Sequence, residues 1–487
     1  MNYVKSYANR FLPNISENVC RINEIFNGDS VLRVREFTFC GIKACILYFD
    51  GMADGDVIDD SIMRPLILAE TVEMDNITHF VGERLLYAGE ISYTFNVADA
   101  VSDMLNGDTL LLLDNSSEGI MVSTKGWQFR SISEPENERV LQGPRDGFGE
   151  VALFNVALLR RRLQTSDFCA SMIKCGKRTN TRIFICYLKS LANRDTLRSL
   201  KKRLSAIDTD AILDSNYITE EISDGTAVFK TVGSTERPDI VAARLLEGRI
   251  AVVVDLTPVV LTVPYLFSEN FQSDEDYYIN YKMASAGRII RIICFFLAIS
   301  VSALYTALTT FHFDLLPASF ATVVAHSREG VPFSTVAECF IMTFIFEILR
   351  ETGVRMPQSG GHALSIVGGL VVGQAAVEAK IVSAPMLIVV ALSGICGLMV
   401  PRLKTAVFYL RFAMIFAVGL FGLYGYFLLS VITLTSILRM KSVGVDATVS
   451  LNNTSFQGLK DVLIRASWCK MITRPPIQNN NRVRKKR

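Results

Sequence analysis

Three acids and one amide stand in stretches of apolar sequence, where a polar side chain is costly: Glu338, Glu347, Gln374 and Glu378. An acid at membrane depth ordinarily faces a cavity or a partner. Gln374 and Glu378 share one helix face with Val367 and Val371, at three- and four-residue steps. They are candidate pore-lining residues for a cation path. The alternative is that Glu378 sits at the membrane interface beside Lys380. Glu338 and Glu347 fall on opposite faces of a helix and cannot form a paired carboxylate on that helix alone. Another face of the same segment carries Ser365, Gly369 and Gly373, a small residue at every fourth position. That ridge suits close helix packing.

Elsewhere the search for reactive groups returns little. The four histidines, His79, His312, His326 and His362, have unrelated spacings, and no zinc pattern joins them to cysteine. The 10 cysteines lack any C-x-x-C pair and several lie in apolar runs, as small buried hydrophobes of a reducing compartment would. Gly176-Lys177 is not part of a phosphate-binding loop, and no nucleophile elbow or dinucleotide fingerprint occurs. The expectation is a protein that is not an enzyme and holds no cofactor or metal.

The elements that position these residues follow from an uneven distribution of hydrophobicity. Half of the 487 residues are hydrophobic and the net charge is +2, which excludes a disordered chain and gives no sign of nucleic-acid binding. As far as Arg291 the text reads as soluble protein, with charges every few residues. Beyond it, Ile292 to Phe313, Ile381 to Pro401 and Phe412 to Leu438 contain no Asp, Glu, Lys or Arg. Each suits the roughly 20 residues that a helix needs to cross a bilayer. Ser334 to Leu349 and Ala363 to Ala379 are weaker candidates, interrupted by the polar residues above. No apolar leader opens the chain, and basic residues precede the first span (Lys282, Arg288, Arg291) and close the tail ("NRVRKKR"). Both ends are therefore expected in the cytoplasm. Five apolar segments do not give two cytoplasmic ends. Either one segment is incomplete, with Ser334 to Leu349 the expected one, or Phe412 to Leu438 breaks near Gly419, Gly422 and Gly425.

The soluble half looks duplicated. "KACILYFDGMADGDVIDD" from Lys43 and "TRIFICYLKSLANRDTLRSL" from Thr181 both read buried strand, turn, helix start. "MLNGDTLLLLDNSSEGIMVS" from Met104 and "LLEGRIAVVVDLTPVVLTVP" from Leu245 both read Gly turn, strand, strand, with Asp114 matching Asp255 as strand-end turn formers. The expected fold class is an α/β soluble N-terminal region of two similar subdomains (1–135 and 140–280) plus an α-helical polytopic membrane domain (288–440) and a basic tail (441–487). A linker at Ser131 to Glu138 separates the subdomains. The run Arg160, Arg161, Arg162 is either a solvated helix end or a contact for an acidic subunit or lipid headgroups. Pro264 and the acidic Asp274, Glu275 and Asp276 are candidates for a region that couples the two halves. The acidic run is equally a solvated turn.

Several strings together resemble the A subunits of GerA-type spore germinant receptors. "QGPRDGF" followed by "NVALLRRRL" is similar to the start of that family's second soluble unit. "STERPDIVAARLLEGRIAVVVDLTPVVLTVPYLF" and "FQSDEDYY" resemble its junction and membrane entry. "LYTALTTFHFDLLP", "REGVPF", "FEILRETGVRMP", "SIVGGLVVGQAAVEAKIVSAP" and "RMKSVGVD" resemble its membrane motifs, in order, so the match runs from Gln142 to Asp446. Ser359-Gly360-Gly361-His362 and "MVPRLKTAVFY" depart from the pattern. The resemblance implies a nutrient-receptor subunit in the inner membrane of bacterial spores, multi-pass and in contact with membrane lipid. It implies a transporter-like B subunit and a lipoprotein C subunit as partners, and a homo-oligomer forming a nutrient-gated cation channel. The rival readings are a germination-assisting paralogue, a secondary transporter and a membrane scaffold. A transporter usually repeats its membrane segments, whereas the repeat here lies in the soluble half.

Overall fold

The computed structural model describes residues 10–71, 76–126, 135, 138, 140, 142–224, 228–355, 371, 373–449, 461–462, 464–474 and 483–484. Most of the expected linker, together with Val367 and the segment from Ser359 to His362, lies outside the described residues.

The first α/β unit contains α1 (Ile15–Ile25), β1 (Leu32–Phe39), β2 (Ile42–Phe49), helical turns over 55–68 and 77–85, β3 (Ile91–Thr94), α2 (Val97–Leu105), β4 (Thr109–Leu113) and β5 (Gly119–Val122). Its sheet is antiparallel, in the order β1-β2-β4-β5-β3. Both faces of the sheet are covered, which is why β2 and β4 read as unbroken apolar runs. Cys45, Leu47, Leu110 and Leu112 pack under α1 and α2. Ile46, Leu111 and Leu113 pack on the other side against Ile58, Ile62 and Leu66.

The second unit repeats the arrangement. It comprises α3 (Ala152–Arg162), β6 (Phe168–Cys175), β7 (Thr181–Leu188), α4 (Arg194–Ser205), α5 (Ser215–Ile222), β8 (Gly233–Thr235), α6 (Pro238–Leu246), β9 (Ile250–Val254) and β10 (Val260–Val263). The sheet order is β6-β7-β9-β10-β8, the same as in the first unit. The likeness extends to single hydrogen bonds. Asn18 accepts from the Leu12 amide and donates to the Leu12 carbonyl, and Asn155 does the same with Gly149. Asp114 accepts from the Ile15 amide at the start of α1, and Asp255 from the Ala152 amide at the start of α3. A strand-end acid thus satisfies a free amide at a helix N-terminus in both units.

Arg160 joins the units. Its side chain is fully buried, pairs with Asp29 of the first unit, and lies 4.0 Å from the Phe49 ring centroid and 4.9 Å from that of Phe168. Arg162 pairs within the chain to Asp146. For Arg160, neither a solvated helix end nor an external contact holds, because the chain itself supplies the acid and the two rings.

The helical part holds α7 (Tyr281–Phe311), α8 (Ala318–Ser327), α9 (Thr335–Arg355), α10 (Ala384–Leu398) and α11 (Lys404–Arg439), with residues 371 and 373–378 also helical. Two helices, Tyr281–Phe311 and Pro401–Arg439, are long and apolar enough to cross a membrane, and Ala384–Leu398 is a shorter apolar helix. The segment expected to be incomplete, Ser334 to Leu349, forms part of the unbroken α9 from Thr335 onward. The break falls in α11, where Gly422 has φ 57° and ψ −139°. Leu423, Tyr426 and Leu429 fold back against Ala303, Ala307, Met414 and Val418. Both ends of α11 return to the second α/β unit. Arg402, just before it, donates to the Glu269 carbonyl, and Ser442, just after it, donates to the Thr231 carbonyl. At 1.5 Å per residue, each limb of this hairpin reaches about 25 Å.

Glycine is required at the turn. The Gly422 backbone lies outside what L side chains adopt, and a Cβ there would sit 3.1 Å from Phe311. A Cβ on Gly425 would meet the Ala417 carbonyl oxygen at 2.2 Å. Gly422→Val is expected to destabilise the full chain by about 1–3 kcal/mol through strain alone. The check is the thermal midpoint in detergent; an unchanged midpoint removes the hairpin reading.

Candidate functional site

The candidate site is the seam between the second α/β unit and the helices. β10 leaves the sheet at Val263, and Pro264 begins the connection. Two 3-10 turns follow, Phe267–Phe271 and Asp274–Tyr277, before α7 starts at Tyr281 under an Asn280 cap. A short connection of this kind keeps its acids within reach of three different elements.

Asp276 is the hub. Its side chain has no exposure, and it closes the second turn by accepting from the Ser273 amide at 3.1 Å. The same carboxylate accepts from Arg288 Nε at 2.9 Å and from both terminal nitrogens of Arg291, at 2.9 and 3.0 Å. Arg288 and Arg291 stand one helical turn apart on α7, so one acid can serve both. Neither the solvated turn nor the basic membrane flank describes them: two of the three basic residues before the first span point inward to an acid.

The tail closes this cluster from outside. Arg288 donates to the Asp461 carboxylate at 2.9 Å and to its carbonyl at 2.7 Å. The buried Tyr277 hydroxyl donates to the same carboxylate at 2.9 Å. Burial and the neighbouring Asp461 hold the Tyr277 phenol well above its usual range. Arg465 reaches back to the Ile279 and Tyr277 carbonyls, at 2.7 and 3.2 Å. Arg484 pairs with Glu247 at 3.1 Å. The described part of the basic tail is therefore seated on the seam.

Asp274 and Glu269 extend the network in two further directions. Asp274 pairs with Arg402 at the entrance to α11. Glu269 is buried and pairs with Arg249 and Arg244 of the second unit, while accepting from the Leu266 amide at 2.7 Å. Glu275 faces a cavity of about 580 Å³ that Glu138, Lys230 and Arg402 also line. Burial raises the Glu138 carboxyl, and burial lowers the Lys230 ammonium with Arg402 adding to it. A second cavity of about 490 Å³ lies between α6, the turns and the tail. Acids on one connection thus bind the soluble unit, α7, α11 and the tail to one another. A displacement of any one of them must break a buried ion pair or move the others.

The bundle's own acids behave differently from one another. Glu347 is buried, accepts from Arg411 at 3.0 Å and forms an ion pair with Arg350 at 2.6 Å. Arg411 also donates to the Ala298 and Ser393 carbonyls, so it joins α7, α9, α10 and α11. Glu338 sits on the opposite side of α9 and accepts from Ser383. Gln374 and Glu378 are exposed in the single chain, and the structure does not bring them to the seam. Gly373 is buried, with Leu387 3.5 Å from where its Cβ would be. Ser365 and Gly369 lie outside the described residues. Sequence reasoning missed Asp29, Arg411, Asp461 and Arg465. For Arg411 a signal exists in the chain, a lone cation opening a long apolar run; for the others only the fold reveals the partner.

Three comparisons bear on this arrangement. The family model described as "Bacillus/Clostridium GerA spore germination protein" matches residues 20–477. The chain is 36% identical over 479 residues to "Spore germination protein KA" of Bacillus subtilis (strain 168), covering 97% of this chain and 88% of that protein. It is 37% identical over 467 residues to "Uncharacterized membrane protein YfkQ" of the same organism, covering 95% of this chain and 91% of that protein. Among solved structures, the N-terminal domain of the A subunit of the Bacillus megaterium spore germinant receptor GerK3 matches 54% of this chain and 98% of its own. That match has 31% identity and a TM-score of 0.43.

Proposed function

Because the chain belongs to the GerA family, the A subunits of germinant receptors involved in spore germination, we propose that it is the channel-forming subunit of such a receptor. In this reading it lies in the spore inner membrane, with the soluble units and the tail on the cytoplasmic side. Several copies assemble around a cation path, and a transporter-like subunit and a lipoprotein subunit complete the complex. The chain itself carries out no covalent chemistry.

The observation that carries the proposal is the seam. A receptor must convert a contact made in one place into a change elsewhere, and this requires different contacts in its two states. Here the last strand of the second α/β unit runs directly into turns whose acids hold α7 and α11. A shift of the soluble unit is thereby a shift of the helices. The exposure of Gln374 and Glu378 supports a further point, because an assembly of several copies gives exposed polar groups at this depth a common axis to face.

The test is cation flux from vesicles carrying the full chain, with and without its partner subunits, in response to nutrient. Nutrient-dependent flux is the expected result, and Glu378→Gln is expected to change its cation selectivity. Assembled complexes that pass no cations overturn the channel reading. Unchanged selectivity and rate in Glu378→Gln make that residue structural.

A further inference from the structure

We propose that Glu338 and Tyr305 form a binding site for one alkali cation, sodium or potassium, inside the helical bundle. Glu338 is 1% exposed on α9. One of its carboxylate oxygens, Oε1, accepts from the Ser383 amide and from the Ser383 hydroxyl, both at 2.5 Å, at the N-terminal end of α10. The other oxygen, Oε2, is buried and has no hydrogen-bond partner. No arginine, lysine or histidine among the described residues pairs with Glu338. Arg328, a charge in the neighbourhood of Tyr305, is directed to the Thr335 hydroxyl and the Phe333 carbonyl. A buried carboxylate oxygen with no partner is costly, and a counter-charge at Oε2 removes that cost.

The surroundings of that oxygen specify the counter-charge. The Tyr305 hydroxyl of α7 lies beside Ser383 and Glu338, and it is buried with no hydrogen bond of good geometry beyond its approach to Ser383. α7 and α9 run antiparallel here. The Cys339 thiol reaches the Ser302 carbonyl at 3.9 Å, while Glu347, further along α9, meets through Arg411 the earlier Ala298 carbonyl of α7. One turn back on α7 the Ser302 hydroxyl is again buried and without a partner, while on α9 the Thr343 hydroxyl lies beside the Cys339 thiol. Glu338 Oε2 and the Tyr305 and Ser302 hydroxyls, on two facing helices with a single negative charge among them, are hard oxygen ligands. One carboxylate balances one positive charge, whereas calcium sites recruit several carboxylates and magnesium keeps most of its water. Glu347, nine residues further along α9, is already paired with Arg411 and Arg350.

The site is tested by thermal unfolding of the full chain in detergent. Sodium chloride or potassium chloride is titrated against N-methylglucamine chloride at constant ionic strength and pH. The wild-type midpoint is expected to rise saturably with at least one of the two alkali ions. The rise is expected to be absent in Glu338→Gln. In Tyr305→Phe, which keeps the carboxylate and removes one neutral ligand, the half-saturating concentration is expected to increase about tenfold. No alkali-specific rise in the wild type overturns the proposal, as does a rise that survives in Glu338→Gln. A wild type that is stabilised by acid and indifferent to the alkali ion also overturns it, since Oε2 then carries a proton. If Glu338→Gln does not fold, Tyr305→Phe decides, and an unchanged titration in that variant counts against the site. The readout needs no conduction and no partner subunit, so its failure is distinct from failure of the channel reading.

Discussion

Asp276→Asn is expected to destabilise the full chain by about 3–5 kcal/mol, the usual consequence of removing one partner from a buried ion pair. The substitution preserves shape and removes only charge. Asp276 has no exposed surface and neutralises Arg288, itself fully buried, and Arg291, which is 18% exposed. After the substitution Arg288 keeps Asp461, and Arg291 keeps the Phe271 carbonyl. Arg288 is then left with one carboxylate and Arg291 with none. A loss of this size is a large part of the 5–15 kcal/mol that a domain ordinarily has. The expected signs are a lowered thermal midpoint and rapid proteolysis between the second α/β unit and α7. Asp274→Asn is expected to cost less, because its partner Arg402 is 20% exposed and water can replace part of the interaction. Should Asp276→Asn melt with the wild type, the seam is not a mechanical joint, and the proposed transmission through it fails with it.

Arg411→Met is expected to cost a similar amount, again about 3–5 kcal/mol, but through the bundle. The side chain is 1% exposed and its three donors go to Glu347, the Ala298 carbonyl and the Ser393 carbonyl. Methionine fills the volume and leaves Glu347 with Arg350 alone. The double variant Glu347→Gln with Arg411→Met is expected to be more stable than Arg411→Met by itself, because no uncompensated carboxylate remains buried. Arg411→Lys is expected to behave more like the methionine variant than like wild type, since one ammonium cannot reproduce a planar fork serving three acceptors. Thermal midpoints of wild type, Glu347→Gln, Arg411→Met and the double variant in one detergent form the required cycle. Equal losses in the single and double variants rule out charge pairing as the cause.

The sheets were largely legible in the chain. "KACILYF" and "TRIFICYL" are continuous apolar runs because β2 and β7 are covered on both faces, and a strand in that position has no polar face to show. The pairing of Asp114 with Asp255 was visible as a repeated strand end, and the structure gives both the same task at a helix start. The three glycines in the last apolar run marked a place where a break is inexpensive. Whether the chain breaks there depends on where its two ends must go, and these are held by Arg402 and Ser442.

The seam was located by the sequence, with its character left open between a coupling region and a solvated turn. An acidic run before a hydrophobic helix reads as a solvated turn, because exposed acids are far commoner than buried ones. Asp276 departs from that rule since its partners, Arg288, Arg291 and the Asp461 that completes the cluster, come from α7 and from the tail. The arginine run at Arg160 was misjudged for the same reason. Asp29, which neutralises it, belongs to the other unit.

By itself the sequence determined what local physics controls: which segments are apolar enough to be helices of a bundle or strands of a core, where the turns lie, that the soluble half repeats, and the family. Tertiary structure alone decided which charges are buried and what neutralises each one. Periodicity and propensity act over a few neighbouring residues, whereas the energy of an ion pair depends on distance and on the exclusion of water. Both are set by elements that meet only after folding, as Asp276 meets Arg288 and the tail, and as Arg411 meets Glu347.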